Sequence, residues 1–185
     1  PDVAASVPLG AGRLTRDAFT SDPPSRAEVA ALTERVRDEI APVAGRLRAA
    51  GRPDRAVGTS KTFRTLARLA GAAPSSAGPG ARRTLTAQGL RQLSAFITRM
   101  SGPDLAELDG VSASRAHQLV AGAVVAQAAM DALGVTEHEI CPWALREGVI
   151  LRRFDMLDGT NGDDRSAQTS PGGLGPLTTH RARWS

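Results

Sequence analysis

The stretch of sequence that most restricts the fold is DRAVGTSKTFRT, residues 54–65. It reads as a short apolar run, a turn of small residues and the start of a helix. A helix N-terminus presents free backbone N–H groups and a partial positive charge, so this order of elements favours phosphate binding. Gly58 allows the backbone to come close to a ligand, and Thr59 and Ser60 supply hydroxyls. Lys61, the only lysine of the chain, adds a charge.

This stretch has two interpretations at the level of sequence. A P-loop has a glycine directly before its lysine and another upstream, whereas Ser60 precedes Lys61 here. The stretch therefore does not match a P-loop. Either it binds phosphate in another way, or Ser60 or Thr59 only caps the following helix.

Composition predicts one domain, with room for a tail, in a chain of 185 residues. Aromatic residues make up only 3% of the chain, so the core must be built from Leu, Val, Ile and Ala. The single cysteine, Cys141, excludes an internal disulfide framework and indicates a reducing compartment, so we expect a cytoplasmic protein. No apolar run is long enough to cross a membrane. Because the chain begins with Pro1 rather than methionine, we expect a processed protein, a trimmed protein or a fragment.

The basic charge balance raises the question of a nucleic-acid partner. The formal charge is +4 and the isoelectric point is about 10.8. However, the arginines alternate with acids, as in residues 34–39, and such a pattern is typical of a solvated helix face. The scarcity of aromatic residues also argues against stacking on single strands. We therefore do not expect a nucleic-acid partner.

Apolar spacing and breaker residues predict an α/β chain that is rich in helix and has a small sheet. The predicted strands are residues 2–9, 56–57 and 137–141. A capping box of Ser25 and Glu28 begins the first long helix, which Pro42 should kink or end early. The apolar stripe of this helix consists of Val29, Leu32, Val36, Ile40 and Val43. A short helix follows Gly58, and residues 72–83 are predicted as a loop.

The second half of the chain is predicted to be mostly helical. Thr86 caps a helix whose inward face consists of Leu90, Leu93, Phe96, Ile97 and Met100. The longest segment runs from Ser112 or Ser114 to Leu133, and its many small side chains should let it pack closely at the centre of the fold. We also predict a last helix over residues 143–154, with Leu145, Val149 and Ile150 on its inward face. Residues 158–185 have the composition of a disordered tail.

Several stretches together resemble one family. They are VPLGAGRLTRDAF, AVGTSKTFRTLARL, LTAQGL, SASRAHQLVAGAVVAQAAMDALG and ICPWALREGVILRRFD. They are similar to the exopolyphosphatase and guanosine pentaphosphate phosphatase (Ppx/GppA) family, nearest to its actinobacterial members, over roughly residues 3–155. The resemblance implies that residues 1–157 form a ribonuclease-H-like domain of the actin and sugar-kinase superfamily, the second domain of a two-domain enzyme.

The resemblance also implies an activity. Family members bind the phosphates of polyphosphate or of a nucleotide in a cleft between two domains, with Mg²⁺ and a glutamate of the first domain as general base. The chain would then be part of a phosphoanhydride hydrolase acting on inorganic polyphosphate or guanosine pentaphosphate. The alternative is a non-catalytic module that binds polyphosphate or an alarmone. A homodimer is compatible with both functions, and no membrane partner is expected.

The sequence departs from the family pattern at the catalytic groups. The first domain and the D-x-G-G-G-S loop of the second domain have no counterpart in these residues. We therefore name no catalytic residue, and we expect the fragment alone to be inactive.

The resemblance marks a partial site. Residues 58–61 match a family motif that lines the interdomain cleft. Arg115 either grips phosphate through its guanidinium or is an exposed surface residue. Arg146 either binds phosphate or pairs with Glu147 to fix the last helix, and Gly148 should permit close packing.

The remaining candidate groups suggest no metal site. His138 lies between two glutamates, and no second histidine or cysteine stands at zinc-ligand spacing from it. Cys141 is interpreted as a buried, small apolar side chain.

Overall fold

The structure, a computed structural model, describes residues 3–78, 80–143 and 145–163. It divides into two compact units, one up to Ala144 and one from Leu145 onward. The helices of the first unit are α1 (Ala11–Ala18), α2 (Arg26–Ala49), α3 (Lys61–Leu69), α4 (Ala87–Ile97), α5 (Gly102–Ala106) and α6 (Leu119–Leu133). Its strands are β1 (Val57–Gly58), β2 (Thr84–Thr86) and β3 (Glu137–Ile140), and its 3-10 turns are Ser75–Ala77 and Ala113–Gln118. The second unit contains α7 (Leu145–Asp163).

The strands form one mixed sheet in the order β1-β3-β2. Strand β1 runs parallel to β3, with Gly58 opposite Ile140, whereas β2 runs antiparallel to it, with Leu85 opposite His138. Because side chains alternate along a strand, His138 and Ile140 point into the core, and Glu137 and Glu139 lie on the opposite, more exposed face. The predicted helix-rich α/β fold with a small sheet is confirmed.

Helix α6 is the centre of the first unit, as its composition predicts. It packs against α1, α2, α3 and α4. Its buried positions include the small residues Ala121, Gly122, Ala123, Ala126 and Ala128. A Cβ built on Gly122 would overlap the Cγ2 methyl of Thr62, so only a glycine lets the first turn of α3 lie this close to α6.

The capping residues predicted from sequence are confirmed. Ser25 and Glu28 form a complete capping box at the start of α2. Thr86 accepts a hydrogen bond from the Gly89 N–H at the start of α4. Gly134, with a φ of +67°, ends α6 in the left-handed conformation.

Several predicted strand and helix boundaries are wrong. Residues 3–9 form no strand, and Pro8 in this run lacks the N–H group that a sheet ladder needs. Strand β2 was not predicted, because Thr84–Thr86 become a strand only by pairing with β3. Of the two alternatives predicted for Pro42, an early end of α2 is wrong, because the helix continues to Ala49, and a kink stays a prediction. Phe96 is 57% exposed and does not belong to the buried face of α4.

The predictions for the end of the chain differ from the structure in two ways. Helix α7 continues to Asp163, into the segment predicted as a disordered tail, and the rest of that segment lies outside the described residues. Val149 and Ile150, predicted to point inward, are 61% and 54% exposed. Among the described residues, no helix is both long and apolar enough to span a membrane.

Candidate anion-binding cleft

The N-terminus of α3 is built by local capping. The hydroxyl oxygen of Ser60 accepts a hydrogen bond of 3.1 Å from the backbone N–H of Phe63. The capping interpretation of Ser60 is therefore correct. This bond leaves the side chain exposed, so capping does not exclude contact with a ligand. The ligand-binding roles of Thr59 and Ser60 stay predictions.

Gly58 has a packing role beneath the turn. A Cβ at this position would lie 3.0 Å from Cδ2 of His138 and 3.1 Å from Cγ of Phe63, so a larger residue would separate β1 from these two rings. The rings form an edge-to-face pair, with centroids 4.7 Å apart. The sequence analysis assigned Gly58 to approach of the backbone to a ligand, and the structure supplies this second reason for a glycine.

His138 supports the turn as a buried imidazole. It is only 5% exposed, and its Nε2 is buried without a hydrogen-bond partner in the described part of the chain. Burial lowers the pKa of His138 by more than the nearby Glu137 carboxylate raises it. The turn that leads into α3 therefore rests on a neutral ring.

Two of the residues predicted for the site, Lys61 and Arg115, line one cavity of about 240 Å³. We call this cavity the cleft. Lys61 is the first residue of α3, and Arg115 lies in the 3-10 turn before α6 rather than at the start of an α-helix. Both side chains are exposed. Hydroxyl groups also line the cavity, from Thr62, Thr65, Ser75 and Ser112.

Arg64 is a third basic residue of this cavity, and the sequence analysis missed it. It stands three positions after Lys61 on α3, a spacing that places two side chains on the same side of a helix. Arg64 also stands in the family-like stretch AVGTSKTFRTLARL, so this spacing and the resemblance were the signals available in the sequence. The lining of the cavity contains no aspartate or glutamate, so the cleft is suited to an anion.

Other residues predicted for the site do not line the cavity. Gly58, Thr59 and Ser60 directly precede Lys61 in the sequence, but they are not part of the cavity lining. Arg146 belongs to α7, and its side chain lies outside the described residues. Glu147 is exposed. Among the described residues, a Cβ at Gly148 would meet no atom within 4 Å, and the packing role of Gly148 stays a prediction.

The donor set of the cleft does not fit a magnesium ion by itself. Mg²⁺ prefers carboxylate and phosphate oxygens, whereas this cavity offers ammonium, guanidinium and hydroxyl groups. No cluster of His, Cys, Asp or Glu within the described residues could hold a metal ion. Mg²⁺ therefore stays a prediction for the complete enzyme.

Most of the chain matches a known protein family. Residues 1–157 match the Ppx/GppA phosphatase family. The chain belongs to this family. Exopolyphosphatase 1 of Mycobacterium tuberculosis is 61% identical over 161 residues, which cover 86% of this chain and 47% of the relative. Exopolyphosphatase 1 of Mycobacterium leprae is 58% identical over 161 residues, which cover 86% of this chain and 48% of the relative.

Solved structures of Ppx/GppA proteins share the fold. A structure of the Aquifex aeolicus Ppx/GppA enzyme matches with a TM-score of 0.70 and 24% identity, over 80% of this chain and 48% of that one. An exopolyphosphatase from Cytophaga hutchinsonii matches with a TM-score of 0.67 and 19% identity, over 81% of this chain and 48% of that one. These likenesses confirm the predicted ribonuclease-H-like fold class. The chain spans about half the length of the curated relatives it matches, 47% in the case of the Mycobacterium tuberculosis protein.

Proposed function

We propose that this chain is part of a phosphoanhydride hydrolase that releases terminal phosphate from inorganic polyphosphate. The observation that carries the proposal is the meeting of Lys61 and Arg115 at a cavity whose lining has no carboxylate. The mycobacterial relatives called exopolyphosphatase support polyphosphate as the substrate class.

The cleft supplies binding and charge neutralisation in this proposal. Phosphoryl transfer depends on positioning and on stabilisation of charge more than on covalent chemistry by the protein. The ammonium of Lys61 acts as a mobile point charge, whereas the planar guanidinium of Arg115 can hold two oxygens of one phosphate. The hydroxyls of the lining can donate hydrogen bonds to the remaining oxygens.

The proposal assigns activation of water to another part of the enzyme. The lining of the cleft offers no carboxylate that could serve as general base. We propose that the base, and the ligands of Mg²⁺, belong to the part of family proteins that this chain does not match. The chain alone should then bind polyphosphate without hydrolysing it.

Two related functions are alternatives to this proposal. Guanosine pentaphosphate ends in the same phosphoanhydride group, so the same cleft can serve its hydrolysis. The second is a non-catalytic module that binds polyphosphate or an alarmone. The absence of a carboxylate from the lining favours this module for the chain by itself.

The test is a phosphate-release assay on the chain alone and on the chain joined to the half of a family member that it does not match. We expect turnover only from the joined protein. At low ionic strength, Lys61→Ala and Arg115→Ala in the joined protein should each lower kcat/KM for polyphosphate by about tenfold or more, as expected for loss of a bond to a charged group. Arg46→Ala, an exposed arginine of α2 outside the cavity lining, is the control.

Each result has a defined meaning. Turnover by the chain alone would refute the proposal that the base lies elsewhere. Turnover of guanosine pentaphosphate but not polyphosphate would move the substrate to the nucleotide. Binding without turnover by the joined protein would support the non-catalytic module.

A further inference from the structure

Arg64 differs from the other two basic residues of the cleft in its burial. Lys61 and Arg115 are exposed, whereas Arg64 is half-buried. Its Nε is removed from solvent and has no hydrogen-bond partner within the described part of the chain. The cleft thus has two exposed cations and one partly buried cation.

The three cations of the cleft take part in no ion pair among the described residues. The ion pairs in this part of the chain join Arg37, Arg55, Arg68 and Arg82 to carboxylates, and none of them includes Lys61, Arg64 or Arg115. The contrast with Arg68, one turn further along α3, is informative, because Arg68 pairs with Asp109. Burial of the Arg64 Nε without a partner costs free energy, and an anion bound to the same guanidinium would offset part of this cost.

We infer that Arg64 is a further phosphate-binding residue of the cleft: it binds a single phosphate group through two oxygens, while Lys61 and Arg115 attract the rest of the anion from the exposed edge. This inference rests on the proposed function. A guanidinium presents its N–H groups in a rigid fork that matches phosphate oxygens, and a partly buried bond is less screened by salt than an exposed one. Arg64 should therefore contribute affinity that persists in salt, and the exposed cations should contribute affinity that salt removes.

The experiment measures binding of tripolyphosphate to the whole chain by calorimetry, at low ionic strength and at about 1 M salt, where the Debye length is about 3 Å. Arg64→Met removes the charge but keeps the apolar stem in place, and Arg64→Lys keeps the charge but removes the fork. We expect Arg64→Met to weaken binding by about tenfold or more at both salt concentrations. Arg64→Lys should weaken it by about threefold or more, and Lys61→Ala should matter only at low salt.

Arg46→Ala is the control for loss of one positive charge, and thermal unfolding followed by circular dichroism verifies that each variant is folded. If Lys61→Ala and Arg115→Ala weaken binding while Arg64→Met does not, the inference is wrong and the proposed function stands. If Arg64→Lys binds as tightly as wild type, the charge alone matters and the inference is also wrong. If Arg64→Met, Lys61→Ala and Arg115→Ala all leave binding unchanged, the anion does not occupy this cleft, and the proposed function fails together with the inference.

Discussion

Thr62 lies directly over Gly122, so closely that a Cβ on the glycine would overlap the Cγ2 methyl of the threonine. Thr62 belongs to the first turn of α3, between Ser60, which caps the helix, and Arg64, which reaches the cleft. Gly122 is buried in α6, the central helix. The contact therefore sets the distance between the core and the turn that carries two of the cleft cations, although it contains no polar group.

The first prediction concerns this contact. Gly122→Ala should push α3 away from α6 and lower the free energy of unfolding by about 1–3 kcal/mol, the usual cost of overpacking. It should also weaken tripolyphosphate binding, because Lys61 and Arg64 move with α3. Chemical denaturation and calorimetry measure the two effects.

The control for this prediction is Gly45→Ala in α2, where an added Cβ meets no atom within 4 Å. Alanine is the better helix former, so this change should raise stability by up to about 1 kcal/mol and leave binding unchanged. Equal stability of the two variants would contradict the proposed role of the Thr62 contact.

The second prediction concerns Ser60: stability tests its role as a cap, and tripolyphosphate binding tests whether the anion lies near it. Ser60→Ala removes the acceptor for the Phe63 N–H and should cost about 0.5–2 kcal/mol of stability. Ser60→Asp keeps an acceptor and should be nearly as stable as wild type. The new carboxylate next to Lys61 should nevertheless repel tripolyphosphate and weaken its binding by about tenfold.

Thr86→Ala is the matched control, since Thr86 caps α4 through a bond of 3.0 Å from the Gly89 N–H and is not part of the cleft lining. It should lower stability by a similar amount and leave binding unchanged. Unchanged binding by Ser60→Asp would mean that the anion lies away from the α3 N-terminus.

The sequence predicts the helix caps better than it predicts strand β2. The reason is the separation along the chain of the residues that interact. The caps at Ser25, Ser60 and Thr86 use bonds that span three residues, so a local pattern is enough. Strand β2 exists only because Leu85 pairs with His138, far along the chain. No local pattern encodes such a pairing.

The same argument explains which residues of the cavity lining were predicted. Lys61 stands in a recognisable turn, and Arg115 stands in a stretch that resembles the family. Arg64 stands in the same stretch as Lys61, but it becomes part of a cavity lining only when the segment around Gly110 and Ser112 folds against α3. Its burial and its missing partner are tertiary properties, which spacing along one helix does not reveal.

The third prediction concerns pH and His138. Burial holds the pKa of His138 below its usual value of 6.5, so the unfolded chain takes up a proton at a higher pH than the folded chain does. The contribution of His138 to stability is therefore complete above about pH 6.5 and decreases as the pH falls from there toward the lowered pKa. Below that lower pKa, both states carry the proton and the loss is complete.

The measurement is the free energy of unfolding by denaturant at a series of pH values from about 5 to 8. His138→Gln removes the titrating ring and should flatten the profile between the lowered pKa and pH 6.5, even though it lowers stability overall. A wild-type profile that rises as the pH falls through this window would show that the imidazole gains a proton on folding, which is incompatible with a neutral ring under the α3 turn.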